Sequence, residues 1–339
     1  MYVMKKFLFI LSFSVLALFT GCNPDDSLDN GCPNFNLGIE WLPPYSNPLW
    51  HPAGDIIGFN LVPLLTKDVA DRKETCPWYR YDDDEAGFYL VNADGTNQRK
   101  ILPYPLVTAA WSQDGDWIAF SEGAQIVIMP FDGENFNEAE KQQLTFEGRN
   151  FFPAWSPDGQ KIAFSQSTCN EVACGIWLYD IAINEVNHVS LYGNYPTWHP
   201  DGDSFLFRRT AISDEGKHFG DSLWSYSIGS GLSYFNRIVS PNSGNRYFQY
   251  SPSGELIGLI SQFDNGTGIQ MCTIDSAGDN LSCLTNNGAR QFSWSPDGQI
   301  VYVAYDGENI DETQGTLWTM DSNGSNKEPL TFNQFTLIK

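Results

Sequence analysis

Basic residues are scarce in this chain. Nineteen lysines and arginines stand against 41 aspartates and glutamates, for a formal net charge of −22, and histidine occurs only four times in 339 residues. So acidic a body repels phosphate backbones and anionic bilayer surfaces, which excludes nucleic acid as a partner and leaves a lipid anchor as the only route to a membrane. Catalytic signatures are missing as well. There is no G-x-S-x-G, no H-E-x-x-H and no G-x-x-x-x-G-K, so nucleophile-elbow, zinc-helix and phosphate-loop chemistry have no local support. No C-x-x-C pair occurs, which with so few histidines argues against zinc. Past the N-terminus no segment repeats apolar residues at a helical period, and that points to an all-β chain.

Long apolar runs are also lacking. The one present, Phe7 to Phe19, follows Lys5-Lys6 and ends in Thr20-Gly21-Cys22. It is too short for a transmembrane helix and has the layout of a secretory signal. A Cys directly after Thr-Gly resembles a lipobox. The implication is cleavage before Cys22, acylation of that residue and anchoring to a bacterial outer membrane, with the body on the periplasmic or the cell-surface side. Asn23-Pro24-Asp25-Asp26 reads equally as a surface-export signal or as a polar tether. The expected division is therefore a signal peptide over 1–21, a tether and N-terminal segment over 22–45, and one folded body over 46–339.

That body is written in repeats. WSPDGQKIAF begins at Trp155 and WSPDGQIVYV at Trp294, with relaxed copies around Trp50, Trp111, Trp198 and Tyr250. In Ser156-Pro157-Asp158-Gly159, Pro presets φ for the second position of a type I turn, and Gly supplies the positive φ that closes a hairpin. All six copies keep the glycine: Gly54, Gly115, Gly159, Gly202, Gly254 and Gly298. Each copy continues into a third strand such as GIWLYDI, a polar turn, and a fourth strand often ending in Leu-Thr. Four short strands per unit, recurring every 43 to 61 residues, is the period of a propeller blade. The fold class is all-β: a six-bladed β-propeller of four-stranded antiparallel blades.

The pattern P-x-W-S-P-D-G-x-x-I-A-F, then I-W-x-M-D, then L-T, resembles the TolB-type propeller repeat. The resemblance covers about residues 46 to 332. It implies the fold. It leaves activity open, since the same repeat forms the propellers of TolB, of some serine peptidases and of many envelope proteins.

Six cysteines remain after Cys22, an even number that suits an oxidising compartment. The repeat register places Cys272 and Cys283 across one hairpin, and puts Cys169 and Cys174 on either side of a short insertion. Cys32 and Cys76 are left as the third pair. Free thiols, or a metal site, are the alternative.

The larger insertions (61–86, 168–175, 210–221 and 306–315) all lie between second and third strands, on the face that also carries the blade-to-blade connections. Loops growing on one side of a rigid scaffold carry recognition. The connections read Arg149-Asn150-Phe151-Phe152, Asn194-Tyr195, Asn245-Arg246-Tyr247 and Arg290-Gln291-Phe292. The candidate binding residues are Asn150, Phe152, Asn194, Tyr195, Arg246, Tyr247 and Arg290, at the rim of the central channel; packing between blades is the alternative use of the aromatics. Asp82, Asp84, Asp306 and Glu308 form a candidate Ca²⁺ site or a solvated acidic rim; otherwise no cofactor is implied. His51 and His199 stand where Ser begins the turn, which gives them a structural role. The expected function is that of a cell-envelope lipoprotein whose monomeric propeller binds an envelope protein or a glycan without catalysis. The alternative is a metal-dependent lyase or hydrolase acting at the channel on a saccharide or peptide.

Overall fold

The tight turns close as their residues require. In the computed structural model, which describes residues 44–66, 79–81, 84–167, 174–212, 218–237, 246–263, 268–286, 288–304 and 315–332, the N–H of each turn glycine donates to the carbonyl three residues back. The bonds run from Gly54 to His51, Gly115 to Ser112, Gly159 to Ser156, Gly202 to His199, Gly254 to Ser251 and Gly298 to Ser295, at 2.9–3.1 Å. All six glycines lie at φ between 69° and 91°, where a Cβ is disfavoured. Ser156 Oγ donates to Asp158 Oδ1 at 2.6 Å and accepts the Lys161 N–H at 2.8 Å. Ser112 with Asp114, and Ser295 with Asp297, repeat the arrangement.

Around these turns the chain folds into six four-stranded antiparallel sheets. Their first strands are Tyr45–Trp50, Val107–Trp111, Asn150–Trp155, Gly193–Trp198, Arg246–Tyr250 and Ala289–Trp294. The blade-one insertion adds a two-stranded ribbon, Leu64–Thr66 with Tyr79–Tyr81. Among the described residues the only helical segment is one 3-10 turn, Glu138–Glu140. The recurrent Leu-Thr has a clear cause: the Oγ1 atoms of Thr145, Thr285 and Thr331 accept the N–H of Ile126, Met271 and Leu317, at 2.9, 3.0 and 2.9 Å. Each ties the residue just past the fourth strand back to the third strand of its own blade.

First strands touch their neighbours in cyclic order, blade six against blade one included, so they surround a central axis. Between blades lie six apolar clusters, one per junction. Phe88, Leu90, Phe120 and Met129 fill the one–two junction; Phe164 and Ile126 the two–three; Phe205 and Ile176 the three–four; Leu206 and Ile257 the four–five; Met271 and Ile300 the five–six. The seam between blades six and one is packed alike, with Phe59 and Ile57 against Val301 and Leu317. Blade six completes its four strands with Ile300–Ala304, Leu317–Met320 and Glu328–Pro329. An unclosed seam would leave exposed strand edges, so the sequence leads one to expect an added strand from Phe35–Trp41 or from Phe332–Ile338; of these only Phe332 lies among the described residues.

Cys272 and Cys283 are bonded, with their residues paired across the third and fourth strands of blade five. Leu284 N–H donates to Met271 O, so the pair is a non-hydrogen-bonded one, where opposing Cα atoms come closest. Cys174 is also disulfide-bonded, to a partner outside the described residues. Cys22, Cys32, Cys76, Cys169 and the expected signal over 1–21 lie outside them too.

Candidate binding site at the channel rim

Every first strand is interrupted near its start. Register shifts fall between Ser46 and Leu49, Val107 and Ala110, Phe151 and Ala154, Asn194 and Thr197, Arg246 and Gln249, and Ala289 and Phe292. Each inserts one extra residue, a β-bulge that re-aims a side chain. In five blades the bulged residue has positive φ: Asn47 (53°), Thr108 (52°), Phe152 (57°), Tyr195 (57°) and Tyr247 (53°). For Phe and Tyr such φ is a strained conformation, at roughly 1–2 kcal/mol each. In blade six the bulge sits one residue earlier, and Gln291 keeps negative φ.

These six equivalent positions are linked round the axis. Asn47 N–H donates to Gln291 Oε1 at 2.6 Å, and Gln291 Nε2 donates to the Tyr247 hydroxyl at 3.0 Å. The Tyr247 and Tyr195 ring centroids are 5.4 Å apart, and those of Tyr195 and Phe152 are 4.2 Å apart. Phe152 N–H then donates to Thr108 Oγ1 at 3.1 Å. The first strands are sheet edges, and side chains of adjoining blades satisfy their outward N–H groups. Tyr195 N–H reaches Ser165 Oγ, and Trp50 N–H reaches Ser293 Oγ. At these six positions the rim is thus an aromatic arc over blades three to five and a neutral polar arc over blades six, one and two.

Of the candidate binding residues, Phe152, Tyr195 and Tyr247 come together in the aromatic arc, half-buried. Asn194 lies beside them, half-buried, opposite Arg208 in the sheet. Arg246 opens the first strand of blade five; its side chain lies outside the described residues. Arg290 is half-buried in the first strand of blade six, in the bulge. Asn150 takes a different role. It is 1% exposed, and its Nδ2 donates to Gln125 Oε1, Thr145 Oγ1 and the Glu147 carbonyl at 2.9–3.0 Å. That network ties the blade two–three connection together.

Arg208 was not legible as a rim residue. Its guanidinium lies over the Tyr195 ring at 5.1 Å. The available signal was its register: it occupies the second-strand position held by Asn60, Ser121 and Ser165 in blades one to three. The extension of the Thr210–Asp221 insertion as a hairpin, with strands Ser204–Ile212 and His218–Ser227, fits the reading of that face. Blade five also lengthens there, through Leu256–Phe263 and Gly268–Asp275, which its sequence did not reveal.

Of the acidic candidates only Asp84 is described; among the described residues no group of three or more His, Cys, Asp or Glu side chains converges. Asp84 offers its carbonyl to Lys100 Nζ at 2.7 Å, while Asp82, Asp306 and Glu308 lie outside the described residues. His51 and His199 act within the turns. Their Nδ1 atoms accept the N–H of Ala53 and Asp201, at 3.2 and 3.3 Å. Each ring packs edge-on against an aromatic of the next blade, Trp111 at 4.9 Å and Tyr250 at 4.8 Å. On this opposite face a shallow depression of about 440 Å³ is lined by Asp55, Ile56, Asn92, Ala93 and Asp94.

Fold and rim together define a class: a six-bladed β-propeller whose blades each close within one stretch of chain. More particularly, the chain belongs to the TolB beta propeller domain family, whose model matches residues 81–338. TolB of Francisella tularensis, named a Tol-Pal system protein, is 24% identical over 231 residues, 67% of this chain and 51% of that protein. The chain thus spans about half the length of the curated relatives it matches. Among solved structures, TolB from Acinetobacter baumannii superposes with a TM-score of 0.58 at 20% identity, covering 84% of this chain and 61% of that one. An oligogalacturonate lyase in complex with manganese superposes with a TM-score of 0.53 at 11% identity, covering 84% and 76%. At these identities the structural likenesses define the fold alone.

Proposed function

We propose that this is a lipid-anchored protein of the bacterial cell envelope whose propeller binds a protein partner through the channel rim and catalyses no reaction. One observation carries the binding reading. The six equivalent rim positions hold Asn47, Thr108, Phe152, Tyr195, Tyr247 and Gln291: aromatic rings, amides and hydroxyls, with neither a carboxylate nor an imidazole among them. A lyase or hydrolase needs an acid and a base converging on one point. Aromatics with neighbouring arginines are instead the composition of binding hot spots. The secretory signal, the Cys22 lipobox and relatives that carry the Tol-Pal system name support the envelope setting.

The test is capture from solubilised envelopes by the full chain, with Arg246→Ala and Arg290→Ala combined. Truncating hot-spot arginines costs about 2 kcal/mol or more, roughly a thirtyfold loss of affinity. The double variant should lose its captured protein while keeping its melting temperature within a few degrees. Undiminished capture overturns the rim as the site; capture of a glycan in place of a protein overturns the partner class.

A further inference from the structure

The rim is polarised in charge as well as in shape. Five of the nine arginines in the sequence, Arg149, Arg208, Arg209, Arg246 and Arg290, fall at one level of the fold. Arg149 precedes the first strand of blade three, and Arg246 and Arg290 sit at the start of those of blades five and six. Arg208 and Arg209 lie opposite Asn194 and Gly193, where the first strand of blade four begins. At the same level blades one and two place neutral residues, with Ser46 opposite Asn60 and Val107 opposite Ser121. In a chain of net charge −22 this gathers cations into one sector, the sector that also holds the aromatic arc.

These arginines are held in a particular way. Arg149, Arg208 and Arg209 lie over the rings of Phe151, Tyr195 and Trp224, at 6.0, 5.1 and 4.9 Å. Stacking engages the face of a guanidinium, whereas a carboxylate is bound through its in-plane fork, so one arginine can do both at once. The rings themselves do not form a flat platform. Phe152 and Tyr195 are inclined by 53°, and Tyr195 and Tyr247 by 51°. A faceted surface of this kind suits side chains projecting from a polypeptide better than the flat face of a sugar ring.

Resting on the protein-binding reading above, we infer that the segment bound at the rim is an acidic polypeptide stretch, whose Asp or Glu carboxylates meet the arginine sector while its apolar side chains meet Phe152, Tyr195 and Tyr247. Such a contact is drawn together by charge opposite to that of the rest of the body, and salt weakens it.

The probe is a displayed library of random nine-residue peptides selected on the full chain, with the enriched sequences read out. Asp and Glu should be enriched over the input library. Selected peptides should bind at least about tenfold more weakly to Arg208→Gln with Arg209→Gln. Because Arg208 and Arg209 are half-buried, exposed Arg149→Glu serves as a second variant that leaves the fold intact, and it should weaken binding in the same direction. Enrichment of neutral or basic peptides, no enrichment at all, or equal binding to both variants overturns the inference. Binding of oligogalacturonate in place of the peptides also overturns it, as does salt-reversible dimerisation of the chain that blocks them, since the occupant is then a saccharide or a second copy. The outcomes separate the two levels of the proposal: neutral peptides bound at the rim contradict the charge and leave protein binding standing.

Discussion

Across the seam of the ring, the side-chain amide of Gln291 in blade six accepts the backbone N–H of Asn47 in blade one, at 2.6 Å, and donates to the Tyr247 hydroxyl of blade five at 3.0 Å. One side chain therefore joins three blades at the point where the ring closes. Gln291→Ala would leave a half-buried N–H and a phenol without these partners, at a cost of about 1–3 kcal/mol. Thermal unfolding should show a lowered Tm, and hydrogen exchange should rise first at Asn47. Exchange that rises evenly through all six blades would contradict a seam held at this residue.

The turn glycines should differ in tolerance, although their sequence context is alike. A Cβ on Gly159 meets nothing within 4 Å, whereas one on Gly115 runs into the His51 imidazole at Nε2. Gly159→Ala should cost about 1 kcal/mol, from its positive φ alone. Gly115→Ala should cost about 2–4 kcal/mol, because overpacking is added. Replacing His51 by Ser, the residue most other turns carry, should recover the overpacking part. Strictly additive effects of His51→Ser and Gly115→Ala in denaturant unfolding would refute the coupling.

Acid should destabilise the fold through its turns. The Ser156 hydroxyl holds the Asp158 carboxyl below the usual range; the N–H of Asp203 does so for Asp201, and that of Asp279 for Asp275. Carboxyls with a depressed folded pKa contribute stability above the unfolded value, near about 3.9, and that contribution disappears as pH falls through the folded value. Tm should hold steady from about pH 7 to 5 and drop below about pH 4. Asp158→Asn with Asp275→Asn should start lower, and its gap to the unaltered protein should close on acidification. A gap independent of pH would count against these carboxyls.

The Cys272–Cys283 bond closes a loop with a sequence separation of 11 on a fourth strand of only two residues. Cys283→Ser should lower stability by about 2–3 kcal/mol, with faster exchange at the edge of blade five. An unchanged Tm would mean that the outer strand is held by other contacts.

Much of this architecture was legible because its signals are local. The S-P-D-G turn, the strand that follows and the closing Leu-Thr act within a few residues, and six repetitions turned a hairpin signal into a propeller. The rim was legible in part. Phe152, Tyr195 and Tyr247 were placed by register, yet nothing local announces that a bulge holds them at positive φ, since Phe and Tyr are poor residues for that conformation. Asn150 read as a rim residue because it stands among Arg and Phe. Its burial depends on Gln125 and Thr145, 25 and 5 residues away. Arg208 lies over Tyr195 within its own blade, a stacking that the repeat register places but does not announce, and the contact between His51 and Gly115 depends on the neighbouring blade, which periodicity alone does not reveal.

Site-specific photo-crosslinking tests the rim most directly. A photoreactive phenylalanine analogue is placed at Tyr247, and in a second variant at Gln160, in the turn on the opposite face. In intact envelopes, irradiation should yield a discrete protein adduct from position 247 and none from 160. The same adduct from both positions, or an adduct from 160 alone, would contradict binding at the channel rim.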